Sequence, residues 1–495
     1  MSGKKKFEIT SKEEDHSKWY QELLTRSGMI DYTDVSGCYV LKPWAVRIWN
    51  IIKNTLNSNL GVFGVDEVYF PMLVSESNLK RETEHLNDFA PEVAWIQAGD
   101  DSTKERERFA IRPTSETIIY PHFANWLKET GEYPKINQWC NILRWESKDC
   151  TPFIRSREFL WQEGHTCHRT KEDAISEMNM VLGIYAEMYF DLGVYTIEGI
   201  KTRSETFPGA EVTSTIEAYL SESGKGIQSA TSHYLGTRFS KMFDIKDSDG
   251  NYAHQNSWGF TTRSIGICAM AHSDDKGLVL PPFVAPIQVV IVPCGITTKT
   301  PDTVRNDIES RIYNLANRIG SVGIRCSVDL SKDTPGMKFN KWELKGVPLR
   351  LELGPRDLDK DILTLAYRHT QTRQTRTLSK IETDPRIISS ELDDIQSELY
   401  ETSRIKTLES ISLIDGDPID DHTKADIAEA VRSKRLCLIE LPSQDEAEIE
   451  RELKQHCTKN GVNSTKVLCI PGSIDLTEYF ELDESTRYGL FGRSF

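Results

Sequence analysis

The chain has 495 residues, which is enough for about three domains at ~150 residues each. Hydrophobic residues make up 38% and charged residues 27%, as in an ordinary globular protein, and no apolar run approaches the ~18 residues of a membrane span, so we expect no membrane partner. The net charge of −15 excludes a basic surface over the whole molecule, so any nucleic-acid footprint has to be local.

The N-terminal region and the cysteines bear on the compartment. Residues 1–15 are rich in lysine and then acidic, and they lack the apolar core of a secretory signal. Their acidic residues also argue against a mitochondrial presequence. The 10 cysteines are scattered without a CxxC pair, which is typical of reduced thiols. These features predict a cytoplasmic protein.

The first block of predicted elements runs to about Pro286. Helices are predicted over 43–59, over 115–129 with Thr114 as the cap, and from a Thr170–Asp173 capping box to near Gly193. Strands are predicted over 67–73, 136–146, 155–165 and 254–261. Pro71 places the first of these strands at an edge or interface. Strands with separate helices predict an α+β domain built on an antiparallel sheet.

The second and third blocks have different patterns. In the second, strands are predicted over 287–293, 323–329 and 348–353, with helices over 303–319 and 337–345. This alternation predicts a small α/β domain. The third block is charged and mostly helical, with short strands over 436–440 and 466–470. The predicted domains are therefore 1–285, 286–389 and 390–495.

A row of charged and aromatic side chains marks the predicted strand 155–165. Its alternation puts on one face Arg155, Arg157, Phe159, Trp161, Glu163 and His165. An antiparallel neighbour would bring Arg144 and Glu146 close to that row. Because arginine forks bind phosphate and an aromatic ring can stack on a base, this face indicates a site for a flat, anionic ligand. A solvated face with cross-strand ion pairs is the alternative that the residues leave open.

Three segments, in this order, resemble the three motifs of class II aminoacyl-tRNA synthetases. Residues 67–79 (EVYFPMLVSESNL) resemble motif 1, and 259–263 (GFTTR) resemble motif 3. Arg144-Trp145-Glu146, followed by Arg155-x-x-x-Phe159, resembles motif 2. The sequence contains no HIGH-like or KMSKS-like segment of class I enzymes and no Walker A loop. The ATP site is therefore expected to be neither a Rossmann nor a P-loop site.

Further segments resemble the prolyl-tRNA synthetases of the archaeal and eukaryotic kind. They are RPTSE (112–116), FLWQEGH (159–165), QSATSH (228–233), NSWG (256–259), LVLPP (278–282) and the terminal LFGRSF (490–495). The resemblance covers nearly the whole chain. It implies a homodimeric enzyme that activates L-proline with ATP and Mg²⁺ and joins it to tRNA(Pro).

The resemblance also implies a set of ATP-binding residues: Arg144, Glu146, Arg155, Phe159, Gln228, Thr231 and Arg263. Arg144 is expected to bridge the proline carboxylate and the α-phosphate, while Arg155 and Arg263 hold the triphosphate. Phe159 is expected to stack on adenine, with Arg263 on the other face and Glu146 at the adenine amine. Gln228 and Thr231 are expected at the ribose. Arg144, Arg155 and Arg263 are the expected catalytic residues, because adenylation needs positioning and cations but no protein nucleophile.

The residues implied for proline are Thr114, Glu116, Arg144, Trp161, Glu163, His165, Phe207, His233 and Ser257. A secondary ammonium in a small ring needs a carboxylate or hydroxyl, as in Glu116 and Thr114. It also needs flat walls, for which Phe207, Trp161 and His233 are suited. Glu163 and His165 are expected to line or to buttress the pocket. Taken alone, His233 would be interpreted as a structural histidine.

Pocket size discriminates weakly between amino acids, since one methylene is worth only ~1–3 kcal/mol. Alanine and cysteine are therefore expected to be activated by mistake. Bacterial prolyl enzymes carry a large editing insertion between motifs 2 and 3, and the stretch 169–252 is too short for it. We expect no editing in cis.

The second block resembles the anticodon-binding domain of the histidyl, threonyl, glycyl and prolyl enzymes. Its prolyl marks are WELKGVP (342–348) and GPRD (354–357). Bases of single-stranded RNA are recognised by hydrogen bonds and stacking. Candidate readers of the anticodon are Glu343, Lys345, Arg356 and Asp357, with ordinary surface charge as an equal alternative.

The third block resembles a C-terminal domain that often binds zinc through four cysteines. Ser443 and Glu448 stand where the first cysteine pair would fall, and 478–482 contain no cysteine. His165 and His168 fall on opposite faces of a strand, so they are poorly placed to bind one metal ion together. We therefore expect no structural zinc.

Two other functions are compatible with the motifs. One is a different class II synthetase of the same subgroup, such as the threonyl enzyme, whose zinc-ligand set we do not find in the sequence. The other is a non-catalytic, synthetase-like subunit that binds RNA. Such paralogues usually lose the phosphate-binding arginines, whereas Arg144, Arg155 and Arg263 are all present.

Overall fold

The structure is a computed structural model that describes residues 8–79, 93–96, 108–145, 149–296, 300–472, 474–483 and 485–495. Glu146, predicted at the adenine amine, lies outside the described residues. No helix among the described residues is both long and apolar enough to cross a membrane.

The strands are β1 Ile30–Tyr32, β2 Tyr39–Leu41, β3 Asp66–Glu67, β4 Leu73–Ser75, β5 Trp95–Ile96, β6 Phe109–Ile111, β7 Lys135–Leu143, β8 Glu158–His168, β9 Thr196–Ile200, β10 Val212–Leu220, β11 Lys225–Gly236, β12 His254–Thr261, β13 Val289–Pro293, β14 Cys326–Val328, β15 Leu349–Leu353, β16 Ile362–Tyr367, β17 Arg373–Thr377, β18 Ile411–Leu413, β19 Leu436–Glu440, β20 Thr465–Pro471 and β21 Tyr488–Ser494. The helices are α1 His16–Arg26, α2 Pro43–Val62, α3 Glu116–Thr130, α4 Lys171–Asp191, α5 Arg238–Phe243, α6 Arg263–His272, α7 Asp302–Ser321, α8 Pro335–Leu344, α9 Pro355–Asp359, α10 Leu378–Thr383, α11 Arg386–Glu409, α12 Asp421–Arg432, α13 Glu446–Lys459 and α14 Ile474–Phe480.

The central sheet has 11 strands in the order β18-β19-β21-β20-β9-β10-β11-β12-β8-β7-β3. From β9 to β7 every pairing is antiparallel, which confirms the predicted α+β fold. Helix α4 packs on one face, where the Tyr185 hydroxyl donates to Gln162 Oε1 at 2.5 Å. Side chains alternate along β8, so Phe159 and Trp161 lie on the opposite face, which is free to form a site.

The strands of the C-terminal region continue this sheet. β20 pairs antiparallel with β9 through Ile470 and Ile200, and β21 runs parallel to β11. The predicted third domain thus shares a sheet with the first. Helix α11 crosses the predicted boundary at 389/390, and its buried Leu392 and Ile395 belong to the core of the second domain.

The second domain has its own sheet in the order β14-β13-β15-β16-β17. β13 runs parallel to both of its neighbours, while β16 and β17 are antiparallel additions. Ile308 and Ile312 of α7 are buried against this sheet. The predicted α/β alternation is confirmed.

The predicted N-cap residue is correct for helix α4 and wrong for helix α3. Thr170 Oγ1 accepts from the Asp173 amide at 3.1 Å, so the predicted cap of α4 is confirmed. The prediction that Thr114 caps α3 is wrong. Ser115 occupies the N-cap position, and the Thr114 hydroxyl donates to the carboxylate of Glu116.

The strand predicted over 67–73 is wrong in its middle, because only its two ends are strands, as β3 and β4. Pro71 has no amide hydrogen to donate to a ladder. The carbonyls of Phe70 and Pro71 instead accept from Nη1 of the buried Arg112, at 2.8 and 3.1 Å. Strands β7 and β8 are shorter at the hairpin than predicted, so Arg144 and Arg155 flank the strands.

Candidate active site

A cavity of about 610 Å³ opens over the middle of the central sheet. Its walls include every predicted ATP- or proline-binding residue that lies in the described part of the chain. These are Thr114, Glu116, Arg144, Arg155, Phe159, Trp161, Glu163, His165, Phe207, Gln228, Thr231, His233, Ser257 and Arg263. The structure therefore gathers these residues into one place, although they are spread over the chain from 114 to 263.

Strands β8, β11 and β12 supply the floor of the cavity. Their register sets His233 opposite Ser257 and Thr231 opposite Gly259. Close packing beneath this floor depends on Gly164, because a Cβ atom there would lie 1.8 Å from the Trp258 ring. The sheet thus holds the cavity-lining residues in a rigid row.

Three cations form what we call the arginine cluster, Arg144, Arg155 and Arg263. Arg263 begins α6, and its Nε and Nη1 donate to the carbonyls of Ile154 and Gln228, each at 3.0 Å. Burial lowers the pKa of Arg263, and the charges of Arg144 and Arg155 lower it further. Cations crowded in a cleft against their mutual repulsion indicate a site for an anionic ligand.

Aromatic rings adjoin this cluster. The Arg144 guanidinium lies 5.7 Å from the centre of the Phe159 ring and 5.6 Å from that of Trp161. The two rings meet edge to face at 6.3 Å. Arg144 Nε also donates to the Pro113 carbonyl at 3.4 Å. A planar base and its phosphates would therefore find stacking surfaces and cations side by side.

A second group, the acid–histidine cluster, consists of Glu116, Glu163, His165 and His233. Glu163 accepts from Ser115 Oγ at 2.5 Å and Gln138 Nε2 at 2.6 Å, and it pairs with His165 Nε2 at 3.1 Å. The other ring nitrogen of His165 is hydrogen-bonded to the Tyr120 hydroxyl at 3.1 Å. Both Glu163 and His165 are 2% exposed. Because the partners of Glu163 and His165 are buried protein side chains, the two residues are suited to support the pocket wall.

Charge pairing dominates the titration of Glu163 and His165. Burial by itself raises the pKa of Glu163, but the hydrogen bond and charge of His165, together with the Ser115 hydrogen bond and the charge of Arg112, outweigh it, and the pKa is lowered. Burial by itself lowers the pKa of His165, and the Glu163 carboxylate reverses this, so the pKa is raised. The pair is therefore stabilised in its ionised form.

His233 differs from His165 in charge. Burial, with the nearby charge of His165, lowers its pKa to about 3, so the ring is neutral at physiological pH. Its Nδ1 is hydrogen-bonded to Thr213 Oγ1 at 2.9 Å, and its ring centre lies 4.7 Å from that of Phe207. His233 and Phe207 thus form a flat, uncharged wall.

Several residues of this site were not predicted from the sequence. Lys466 of β20 lines the cavity, as do Ser204, Glu205, Thr206 and Pro208 on either side of the predicted Phe207. Ser115, Gln138 and Tyr120 are the unpredicted partners of Glu163 and His165. The motif segments include Ser115, whereas nothing near Lys466 in the sequence points to the site.

The candidate anticodon readers do not all line one cavity. Glu343 lines a second cavity of about 250 Å³ together with Lys276, Trp342, Arg350, Arg368 and Arg373. Its Oε1 accepts from Arg350 Nη1 at 3.0 Å. Lys345 Nζ lies 4.6 Å from the Trp44 ring, Asp357 accepts from the Gly354 amide at 2.9 Å, and Arg356 is exposed. Of these four residues, Glu343 is the one that lines this cavity.

No group of three or more His, Cys, Asp and Glu side chains is placed to hold a metal ion among the residues that the structure describes. His165 and His168 have separate partners, Glu163 and Glu177, at 3.1 and 2.8 Å. The absence of a structural zinc stays a prediction.

Comparison with known proteins agrees with this geometry. Residues 98–269 match the tRNA synthetase class II core domain (G, H, P, S and T), and 288–383 match the anticodon binding domain. The chain is 40% identical to the proline–tRNA ligase of Encephalitozoon cuniculi, over 99% of this chain and 100% of that protein. The chain belongs to the prolyl-tRNA synthetase family.

Other members of the prolyl-tRNA synthetase family extend the comparison. The chain is 41% identical to a putative proline–tRNA ligase of Schizosaccharomyces pombe, over 98% of this chain and 71% of that one. It matches prolyl-tRNA synthetase from Cryptosporidium parvum complexed with halofuginone and AMPPNP, with a TM-score of 0.88, 37% identity and coverage of 99% and 97% of the two chains. The same enzyme complexed with L-proline and AMP matches with a TM-score of 0.85. The chain spans a third or less of the bifunctional glutamate/proline–tRNA ligases that it also matches.

Proposed function

We propose that this synthetase activates L-proline with ATP, forming prolyl-adenylate and pyrophosphate, and then transfers the prolyl group to tRNA(Pro). The observation that carries the proposal is the presence of two unlike clusters in one cavity. The arginine cluster, beside Phe159, suits a nucleoside triphosphate. The acid–histidine cluster, beside Phe207, suits a small ring that carries an ammonium group.

In the proposed adenylation step, a carboxylate oxygen of proline attacks the α-phosphorus of ATP. The bond from that phosphorus to the bridging oxygen breaks, and pyrophosphate leaves. Arg144 would contact both the carboxylate and the α-phosphate, because its guanidinium lies 5.7 Å from the ring centre of Phe159, assigned to adenine, and 5.6 Å from that of Trp161, assigned to proline. Arg155 and Arg263 would hold the leaving phosphates. Catalysis then comes from positioning and from cations that are already in place.

The same proposal assigns the neutral parts of the substrates. Phe159 would stack on adenine, with Arg263 on the opposite face, and Glu146 would meet the adenine amine. Gln228 and Thr231 of β11 would reach the ribose. Thr114 and Glu116 would receive the ammonium group of proline, and the ring would lie among Trp161, Phe207, His233 and Ser257. Glu163 and His165 would hold this wall from behind.

Magnesium belongs to this proposal as part of the MgATP substrate. The cavity carboxylates are engaged elsewhere, Glu163 with His165 and Ser115, and Glu116 with Thr114. The described residues thus offer no ready-made metal cage. Magnesium usually binds through substrate phosphates with few protein ligands, which agrees with this arrangement.

The test is ATP–pyrophosphate exchange with each of the twenty amino acids in turn, without tRNA. We expect exchange that is highest with proline and weaker with alanine and cysteine. A reaction without amino acid serves as the blank. No exchange with any amino acid, from a folded protein that still binds tRNA, would contradict the proposal and favour a non-catalytic RNA-binding subunit.

We infer that the second cavity receives the anticodon of tRNA(Pro). Its lining of lysine and arginines, with Trp342 and the acceptor Glu343, offers cations to phosphates and hydrogen-bonding partners to bases. Lys345, Arg356 and Asp357, which do not line this cavity, stay candidate readers of the anticodon. Glu343→Ala is expected to lower charging of tRNA(Pro) while leaving tRNA-free pyrophosphate exchange unchanged. Equal loss in both assays would contradict this assignment.

We infer further that two copies associate through the small sheet formed by β4, β5 and β6. Large apolar side chains are exposed on or beside it, with Tyr69 76%, Leu73 46% and Phe109 45% exposed. Such a patch favours a protein partner, and the resemblance to motif 1 favours a second copy. Sedimentation of the intact chain tests this, since a monomer at micromolar concentration would contradict it.

We infer a cytoplasmic location. All 10 cysteines lie within the described residues, and none of them is in a disulfide. Cysteines kept as thiols rather than disulfides are typical of a reducing compartment. Imaging of the tagged chain in its own cell tests the inference.

A further inference from the structure

The segment 201–207, between β9 and β10, forms part of the wall where proline is proposed to bind. It contains neither helix nor strand, and it places Phe207 against His233. Within the segment, Thr202 O accepts from the Glu205 amide at 3.1 Å and from Thr206 Oγ1 at 2.8 Å, and at its end the Phe207 amide donates to Oγ1 of Thr213 on β10 at 3.0 Å. The position of such a segment depends on what holds it from outside.

The C-terminal region supplies that hold. Glu450 Oε2 accepts from the hydroxyls of Thr202 and Ser204, at 3.1 and 2.5 Å. Glu446 Oε1 accepts from the Arg203 amide at 2.7 Å. Both carboxylates come from helix α13, more than 200 residues further along the chain. The segment is thus tied to a part of the protein that the catalytic motifs do not include.

Burial makes these ties strong. Glu446 and Glu450 are 5% and 6% exposed, and a buried carboxylate is costly unless its oxygens are hydrogen-bonded. Glu446 also pairs with Arg487. Glu450 takes donors from the segment and, at 3.4 Å, from the Val467 amide. Moving the segment would leave Glu450 with little compensation, so the segment and α13 stabilise each other.

Lys466 completes the hold at the cavity itself. Its Nζ lies 2.6 Å from Oε2 of Glu205, and both side chains are about a quarter exposed (28% and 27%). Lys466 lies on β20, which pairs with β9 just before the segment begins. The buried Lys201 Nζ donates to the Leu468 carbonyl of the same strand at 2.6 Å. Lys466 and Glu205 both line the cavity.

We propose that the C-terminal domain helps to determine proline affinity, with Lys466 acting as a positioning residue that holds segment 201–207 through Glu205. This rests on the proposed function of the cavity. Lys466 acts on the flat wall of Phe207 and His233 rather than on the arginine cluster. Its loss therefore weakens proline binding and leaves ATP binding in place.

The experiment compares Lys466→Met, Lys466→Arg and Glu205→Gln with Lys454→Met in the full chain. Lys454 is exposed on α13 and provides the same substitution in the same domain. In pyrophosphate exchange we expect Lys466→Met to raise the KM for proline about two- to fivefold, with the KM for ATP unchanged. Lys466→Arg should keep the KM for proline close to that of the unaltered chain. The double variant Lys466→Met/Glu205→Gln should be no worse than either single one, because both break one contact.

Hydrogen exchange of the amides in 201–207 provides a readout that needs no activity. Lys466→Met should speed exchange there relative to Lys454→Met, with α4 unchanged. An unchanged exchange rate in the segment, an unchanged KM for proline, or an equal rise in both KM values would overturn the proposal. If the unaltered chain lacks proline-dependent exchange, the proposed function fails, and the amide measurement still decides whether Lys466 holds the segment.

Discussion

The two clusters of the cavity are built differently. The arginine cluster consists of cations at the ends of elements, held by backbone carbonyls such as those of Ile154 and Gln228. The acid–histidine cluster lies deeper, and its members are held by other side chains, as Glu163 is by His165 and His233 by Thr213. A phosphate-binding site can rest on a few strong cations. A site for a small ring needs a wall whose shape many weak contacts maintain.

Arg144 is the residue of the arginine cluster on which adenylation is expected to depend most. Arg144→Ala should lower proline-dependent pyrophosphate exchange about 100- to 1000-fold, because one preorganised donor to the reacting phosphate is lost. Circular dichroism and tRNA binding should be nearly unchanged. Arg169→Ala serves as the control, since Arg169 is 67% exposed and pairs only loosely with Asp249 at 3.7 Å. Full exchange activity in Arg144→Ala would remove this arginine from the mechanism.

A second change separates the clusters by substrate. Arg263→Lys keeps the charge but loses the fork that donates to Ile154 and Gln228, so the cation is no longer held in place. We expect the KM for ATP to rise about tenfold and the KM for proline to stay within about twofold. Steady-state exchange at varied ATP and at varied proline measures both constants. A rise in the KM for proline alone would reverse our assignment of the two clusters.

How much the sequence could predict follows the same division. Arg144, Arg155 and Arg263 stand in short motifs, so a local pattern was sufficient to find them. The odd-numbered face of β8 was also predictable, because a strand alternates with period two. The antiparallel sheet followed from strands that are grouped apart from the helices. In each of these cases the cause lies within about a dozen neighbouring residues.

What the sequence could not predict depends on contacts between distant residues. Ser115 precedes its partner Glu163 by 48 positions, and Glu205 is separated from Lys466 by 261. No periodicity links such pairs. The wrong cap at Thr114 has a local cause instead, because the hydroxyl donates to Glu116 at the cavity and does not cap the helix. The broken strand at Pro71 follows from Arg112, which takes the carbonyls that a ladder would need.

Amino-acid selection tests the wall of the proline site. We expect alanine and cysteine to be activated with kcat/KM about 100-fold or more below proline, since each missing methylene contact is worth ~1–3 kcal/mol. Preformed alanyl-tRNA(Pro) should persist, because the chain between β8 and β12 builds only elements of the catalytic domain among the described residues. Exchange kinetics and a deacylation time course measure these outcomes. Rapid hydrolysis of the alanyl ester would contradict the absence of editing in cis.

The smallest expected effect concerns stability at the acid–histidine cluster. A carboxyl group with a lowered pKa, as in Glu163, stabilises the fold above its unfolded value, and this is lost as pH falls through the folded value. A histidine with a raised pKa, as in His165, stabilises the fold below its unfolded value of ~6.5, and this is lost as pH rises through the folded value. The pair therefore contributes fully between about pH 4.3 and 6.5.

Glu163→Gln removes the charge but keeps an acceptor for Ser115. We expect a loss of about 1–3 kcal/mol in the free energy of unfolding at pH 5.5, and a smaller loss at pH 8.5, where the protonated form of His165 is less populated. Urea unfolding at both pH values measures the difference, with Glu132→Gln, an exposed glutamate, as the control. A loss that is equal at both pH values would mean that hydrogen bonding alone, without ion pairing, holds the wall of the proline site. In that case charge would matter for binding at the arginine cluster but would not stabilise the acid–histidine cluster.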